Sequence, residues 1–525
     1  MNKITAGWSA VYGMLGVPWW GLLAGAGVLV IGGLLWLWHL GRSRQAHANS
    51  VPEAMMPTPV SVGQSNELRP AGTAPELPGP AVLAQLITTL HHKETSLTAT
   101  NNLVVLGEAV LPVLKEHLLA VTDEVLAERL AQVCARLSGP AARQALLAVI
   151  RGRNLPGRAA ALRALSSFSV VPADAPLFQR VMEEEMRLAQ QLLHSLPDAT
   201  TDLQQALHYE LHRSLQRVFG LLLQLYDPNP ILEVQRSVAH FASEWPASQW
   251  AALENLLPRP LYQGVYALLG GNHIRHQAQV FDNLLGPFVP TETVQTLILR
   301  RGTEAFSTWT IHVALRQWHP APATVALLYP ALLHSNQLIR EGAWEVLGRL
   351  PVQRPAAYDQ LLLDHPDVAA LLAATLDPLA AEVSARERVL LLKATPLFSE
   401  TPENVLADIV SAVREVVFQP QQEIFAKGAL ESSLYILKQG TVDIFDGFQV
   451  LASFGPGDFF GELALLDAEP RSATAIARTH TVALRLDQEE FYNVLATHPK
   501  VLHPLIKALC QRLRRQNEEA QLLAS

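Results

Sequence analysis

Charge and cysteine are both scarce in this sequence. Of 525 residues only 17% are Asp, Glu, Lys or Arg, against roughly 25% in ordinary soluble domains, while 49% are hydrophobic. That balance excludes disorder as the general state and requires a special place for some of the apolar excess. Basic residues show no surplus: 40 Lys plus Arg face 48 Asp plus Glu, a formal net charge of −8. The chain therefore offers no overall positive field for nucleic acid, and no nucleic-acid partner is expected. The two cysteines, Cys134 and Cys510, lie far apart with no CxxC pair, which excludes a disulfide framework and cysteine-based zinc or iron-sulfur sites. There is no G-x-S-x-G, no P-loop, and no carboxylate pair set apart from solvated charge, so no catalytic residue is expected and the chain reads as a non-enzyme. One motif looks enzyme-like, His208-Tyr-Glu-Leu-His212. Zinc-protease chemistry needs H-E-x-x-H, and Glu210 lies about 200° around a helix from His208. The histidines read as surface or packing residues, and no metal site is expected.

The missing charge is concentrated at the start. Between Lys3 and Arg42 there is no Asp, Glu, Lys or Arg. After a short tail (1–16), residues 17–40 are almost continuously apolar, and at 1.5 Å per residue they reach about 36 Å, enough to cross a bilayer with some tilt. Trp19, Trp20, Trp36 and Trp38 mark both ends, where indoles prefer the headgroup level. Ala46-His47-Ala48 resembles a signal cleavage site, but the apolar run exceeds an h-region of about 7 to 15 residues, and Arg42 and Arg44 intervene. An uncleaved single-pass membrane anchor is expected. The arginines place the carboxyl-terminal bulk in the cytoplasm, and Gly21-x-x-x-Gly25 suggests a homodimer through the span. Residues 41–80, with prolines at 52, 57, 59, 70, 75, 78 and 80, read as a flexible tether.

From 81 to 385 the apolar residues recur at i, i+3, i+4, i+7, broken by Gly, Pro and Asp, which predicts successive helices. Glu128–Leu137 (E-R-L-A-Q-V-C-A-R-L) and Glu341–Leu350 (E-G-A-W-E-V-L-G-R-L) share Glu, Val, Arg and Leu at equal offsets. Pro156–Leu165 and Ile274–Leu285 are looser copies. These windows resemble HEAT repeats, which implies an all-α solenoid whose curved face binds a protein partner; an irregular helical bundle is the alternative.

The texture changes in 386–525. Short strands are expected near Val416, Ile424, Leu434–Leu437, Val442–Phe445 and Val450–Phe454, punctuated by glycines at 428, 440, 447, 455 and 457, which predicts a small antiparallel β-roll with flanking helices. Inside it lies Phe460–Ala475, F-G-E-L-A-L-L-D-A-E-P-R-S-A-T-A. This stretch resembles the phosphate-binding cassette of the cyclic nucleotide-binding domain family, F-G-E-L-A-L, a short loop, then P-R-x-A-T. Ile424-Phe-Ala-Lys-Gly, Leu434-Tyr-Ile-Leu-Lys-Gln-Gly, Gly455-Pro-Gly-Asp-Phe-Phe and Asp487-Gln-Glu-Glu-Phe-Tyr extend the similarity over about 130 residues.

Gly461 permits a tight turn, and Glu462, Leu463 and Ala464 open a short helix whose free N–H groups suit an anion. The resemblance implies that Glu462 accepts from a ribose 2′-hydroxyl and that Arg471 clamps the cyclic phosphate, roles that fit an acceptor carboxylate and a guanidinium fork. Ser472 suits either the phosphate or a base edge, and Ala473 keeps the backbone open. Where that family often has Gly-Asp this chain has Glu431-Ser432-Ser433, an exchange assigned to a loop away from the anion seat. The apolar stripe Val501, Leu502, Leu505, Ile506, Leu509 and Leu513, with Pro504 as a kink or first turn, is expected to pack or to close over the base. No helix-turn-helix follows the roll, so a transcription-factor role is not expected. A helical solenoid with such a sensor also resembles the soluble tail of some bacterial transporter-like proteins. The resulting expectation is a multi-domain protein: one transmembrane helix, a HEAT-like solenoid, and a C-terminal β-roll. It binds cAMP or cGMP as ligand, needs no cofactor, and serves signal transduction at the membrane as a sensor or adaptor; a ligand-free scaffold at the membrane and a nucleotide-triggered membrane effector are the alternatives.

Overall fold

The spacing of apolar residues becomes a continuous train of helices from Pro80 to Ala412, several of them started by a side chain that the sequence places one residue ahead. Asp123 accepts from the Leu126 N–H, Asn154 from Gly157 N–H, and Ser384 from Glu387 N–H, each satisfying one of the donors a helix start leaves open. The computed structural model describes residues 78–524, apart from 92, 240–246, 270–272, 375–383, 468, 499 and 500. The tail, the span expected at 17–40 and nearly all of the tether lie outside the described residues. Among those described, no helix is long and apolar enough to cross a membrane.

The four repeat-like windows each lie on one helix: Glu124–Leu137, Leu155–Leu165, Ile274–Leu285 and Gln337–Gln353. Their shared residues do different work, however. Glu128 receives Arg163 at a half-open surface, whereas Glu341 is buried and accepts from the backbone N–H groups of Ala385 and Arg386. Arg349 caps the helix Thr308–Gln317 by donating to the carbonyls of Leu315 and Arg316, and also to that of Trp318 just beyond it.

Ionic groups inside the helical region fix how its helices meet. Glu185 on Ala175–Ser195 accepts from Arg158 and Arg217, each at 2.9 Å. Burial would raise the Glu185 carboxyl, but the two guanidinium groups outweigh it and hold it below the ordinary range. Glu210 is only 2% exposed and accepts from Arg213 at 3.0 Å, Thr310 Oγ1 at 2.8 Å and the Ser307 N–H at 2.9 Å. The acid of the enzyme-like pentapeptide is therefore a packing hub. His208 faces solvent on the opposite side of the helix, as the 3.6-residue period requires.

After Ala412 the chain forms eight strands: β1 (Arg414–Phe418), β2 (Glu423–Phe425), β3 (Ser433–Gln439), β4 (Val442–Asp446), β5 (Gln449–Phe454), β6 (Phe459–Phe460), β7 (Thr474–Ala477) and β8 (Thr481–Asp487). They make two antiparallel sheets, in the orders β1-β8-β3-β6 and β2-β7-β4-β5. Phe425, Tyr435, Leu437, Val442, Phe460, Ala475 and Ala483, drawn from both sheets, form a core between them. The five expected strands are present. The sequence pattern missed β6, which has only two residues, and also β7 and β8.

The core of the helical region does not stop at residue 385. It continues through Leu392, Leu397, Phe398, Leu406, Ile409, Phe491, Val494 and Leu505, so the helices that flank the roll are packed into the same apolar mass as the preceding ones. Asn404 joins the Glu210 hub by donating to Ser307 Oγ at 2.7 Å and Thr310 Oγ1 at 2.9 Å. Glu210→Ala is expected to destabilise the chain by about 3 kcal/mol, the lower end for breaking a buried pair, because Arg213 keeps Glu124 as a partner. The midpoint of urea unfolding, followed by circular dichroism, checks this.

Candidate ligand site

The cassette begins where β6 ends. Gly461 turns with φ +81°, and a Cβ there would lie 2.7 Å from Arg471 Nη1 and 2.8 Å from Ser433 O. Only glycine fits both the backbone and the space. The next six residues, Glu462–Asp467, form the cassette helix. One and a half turns carry little macrodipole, so any anion affinity here rests on individual N–H groups. Glu462 and Ala464 are buried, while Leu463 is exposed.

Arg471 is 4% exposed. Its backbone is fixed by two hydrogen bonds to the loop after β2: Gly428 N–H donates to Arg471 O, and Arg471 N–H to Ala429 O. Its side chain donates from Nη1 to Gly461 O at 3.0 Å and from Nη2 to Ser433 O at 2.8 Å. The guanidinium carbon lies 4.0 Å from the centre of the Phe425 ring, and behind it Tyr435 and Phe460 stack at 5.2 Å. Nε is buried with no hydrogen-bond partner. Among the described residues no carboxylate pairs with this guanidinium. Burial moves its proton affinity below the ordinary arginine range, and the group stays a cation throughout the physiological range.

Of the candidate residues, the structure brings Gly461, Glu462 and Arg471 together, with Ala464 and Ala473 buried and Ser472 exposed. Two expectations are corrected. The Glu431-Ser432-Ser433 exchange is not remote: Ser433 opens β3 and its carbonyl holds Arg471. The apolar stripe near the carboxyl end is split, with Val501 and Leu505 buried and Leu502, Ile506 and Leu513 exposed, and Pro504 sits in the first turn of the terminal helix Leu502–Ala524.

Arg512, which the sequence reading passed over, lies seven residues after Leu505 and so on the same helix face. It reaches Glu462 Oε1 at 2.9 Å, with its guanidinium carbon 4.9 Å from the Phe454 ring and 5.7 Å from that of Phe459. The side chain that covers the Glu462 carboxylate thus comes from the terminal helix.

Residues 415–498 match the cyclic nucleotide-binding domain family, and the C-terminal part of the chain carries such a domain. Over 140 residues, 25% of this chain and 64% of the relative, it is 36% identical to a cyclic AMP receptor protein of Thermus thermophilus. Over 99 residues, 19% of the chain and 22% of the relative, it is 34% identical to a cAMP-dependent protein kinase regulatory subunit of Eremothecium gossypii. Among solved structures it is similar to the Thermus thermophilus catabolite activator protein, 34% identical with a TM-score of 0.23, covering 25% of this chain and 63% of that one. The chain spans less than two thirds of the length of these relatives.

Gly461→Ala forces both a left-handed backbone and a clash with the Arg471 clamp. It is expected to cost at least about 2 kcal/mol, read as a lower urea midpoint with the helical signal retained.

Proposed function

We propose that this protein is a membrane-anchored cyclic nucleotide sensor, for cAMP or cGMP, that couples ligand binding to a protein partner through its helical region. One observation carries the reading: a buried guanidinium, Arg471, held by two carbonyl oxygens and an aromatic face, with an Nε that has no hydrogen-bond partner and, among the described residues, no ion-paired carboxylate. A protein interior tolerates such a group best when an anion completes it. A cyclic phosphate offers the matching oxygens, and the N–H groups from Glu462 to Ala464 would supplement the clamp. Glu462 would accept from the ribose 2′-hydroxyl, which must then displace or share Arg512. The names of the relatives, a cyclic AMP receptor and a kinase regulatory subunit, point to the same ligand class.

The anchor rests on the uncharged, tryptophan-flanked run at 17–40, and Arg42 with Arg44 favours the bulk in the cytoplasm. The HEAT-like reading of 81–385 makes that region the surface for the partner. No catalytic step is assigned. Signalling would follow by population shift, the ligand favouring one arrangement of the terminal and flanking helices over another.

A second reading, a self-closed scaffold that binds nothing, draws on the Arg512 contact with Glu462. Isothermal titration of the full chain in detergent separates the two. A sensor takes up cAMP or cGMP, gains about 2.7 kcal/mol of stability at 100 times Kd, and loses about 2 to 4 kcal/mol of binding, roughly 30- to 1000-fold, on Arg471→Ala. A scaffold shows no thermal shift with either nucleotide. For a sensor, Arg512→Ala, which uncovers Glu462, changes the affinity; for a scaffold it changes stability alone.

A further inference from the structure

The helix Gln488–Thr497, which connects the roll to the terminal helix, is tied at its start to the ligand site. Gln488 donates from its backbone N–H to Ser432 O at 2.9 Å, and from Nε2 to Leu465 O at 2.9 Å and Ala464 O at 3.3 Å. Tyr492 donates to Leu466 O at 3.0 Å. Asp487, just before the helix, accepts from Ser433 Oγ at 2.7 Å, and Ser433 is the residue whose carbonyl holds Arg471. The free carbonyls of the short cassette helix are thus occupied by side chains of the connecting helix.

Further along, the same helix is held from the other direction. Asn493 is 4% exposed, and its Oδ1 accepts from Arg129 Nη2 at 2.8 Å. Arg129 belongs to Glu124–Leu137, and its other amino group donates to the carbonyls of Leu90 and His91, at the end of helix Pro80–Leu90. One guanidinium therefore fastens three elements: the first described helix, the helix Glu124–Leu137, and the connecting helix Gln488–Thr497.

We propose that Arg129 is a positioning residue of the nucleotide site, a role that rests on the sensor reading above. It holds the connecting helix, and through Gln488 and Tyr492 the cassette, in the arrangement in which Arg512 covers Glu462. A phosphate that draws the N–H groups of 462–464 toward itself moves the carbonyls of Ala464–Leu466. That movement pulls on Gln488 and Tyr492 and works against the Asn493 contact. By linkage, whatever shifts the helices at 80–137 alters nucleotide affinity by the same factor.

The test is titration of the full chain in detergent with cAMP and cGMP, comparing wild type, Arg129→Met and Asn493→Asp, with thermal unfolding of each to establish that it is folded. Arg129→Met keeps the stem and removes the donors, so the nucleotide should bind about 5-fold more tightly. Asn493→Asp turns the contact, already a hydrogen bond from a cation, into an ion pair, at the loss only of the long 3.4 Å bond that Asn493 Nδ2 donates to Glu490, so binding should weaken by about the same factor. Opposite shifts from two changes at one contact would not arise from loss of structure. Affinities within twofold of wild type, or shifts in one direction, overturn the role of Arg129 while leaving intact a sensor whose binding depends on Arg471. A wild type that binds neither nucleotide overturns the sensor reading, and this role with it.

Discussion

The C-terminal region is organised around one constraint, a positive charge inside a small aromatic-lined roll. Removing a guanidinium from water is costly, and a carboxylate is the usual compensation. Here compensation comes from two carbonyl oxygens and the face of Phe425. Those partners explain several otherwise separate features. Gly461 lacks a side chain because Arg471 Nη1 and Ser433 O occupy the space. The Arg471 backbone is pinned to Gly428 and Ala429 on both its N–H and its C=O, so the side chain cannot swing out to find water. The remaining charge is what the site offers to a ligand.

The acid of the site is handled in the opposite way. Glu462 is 6% exposed and already has a cation, Arg512, which also lies over Phe454 and Phe459. A buried carboxylate without that partner would carry its own desolvation penalty. Arg512 therefore stabilises the roll and at the same time competes for the group that a sugar hydroxyl would use. The Glu462 carboxylate is thus tied to the position of the terminal helix through Arg512.

Much of the site was legible because its parts are contiguous. The cassette from Phe460 to Ala475 packs a turn glycine, a carboxylate and a guanidinium into sixteen residues, and each residue type follows from its own backbone position. What was not legible depends on distance along the chain. Arg512 lies 50 residues from Glu462, and Ser433 lies 38 from Arg471. Composition and periodicity say nothing about such pairs, although the i+7 relation to Leu505 would have placed Arg512 on the inner face. The helices were readable from apolar spacing, and β6 was not, because two residues cannot show a period. Nothing in the sequence marked Glu210 as a hub, because only the fold brings Ser307 and Thr310 to it.

The apolar cores do not divide where the sequence textures divide. The roll keeps a small core of seven residues between its sheets, but Leu434 and Ile436 of β3, Phe459 of β6, Leu465 of the cassette helix and Leu484 and Leu486 of β8 belong, with Leu406, Ile409, Phe491 and Leu505 of the flanking helices, to the core of the helical region. Close packing transmits strain, so one sheet of the roll and the flanking helices are seated on the same ground. In a free-standing domain of this kind those helices could rearrange alone; here any rearrangement must break or carry with it Asn404 on the Glu210 hub and Asn493 on Arg129. The polar contacts at the seam thus join the helices beside the roll to the first described helix and to the Glu210 hub.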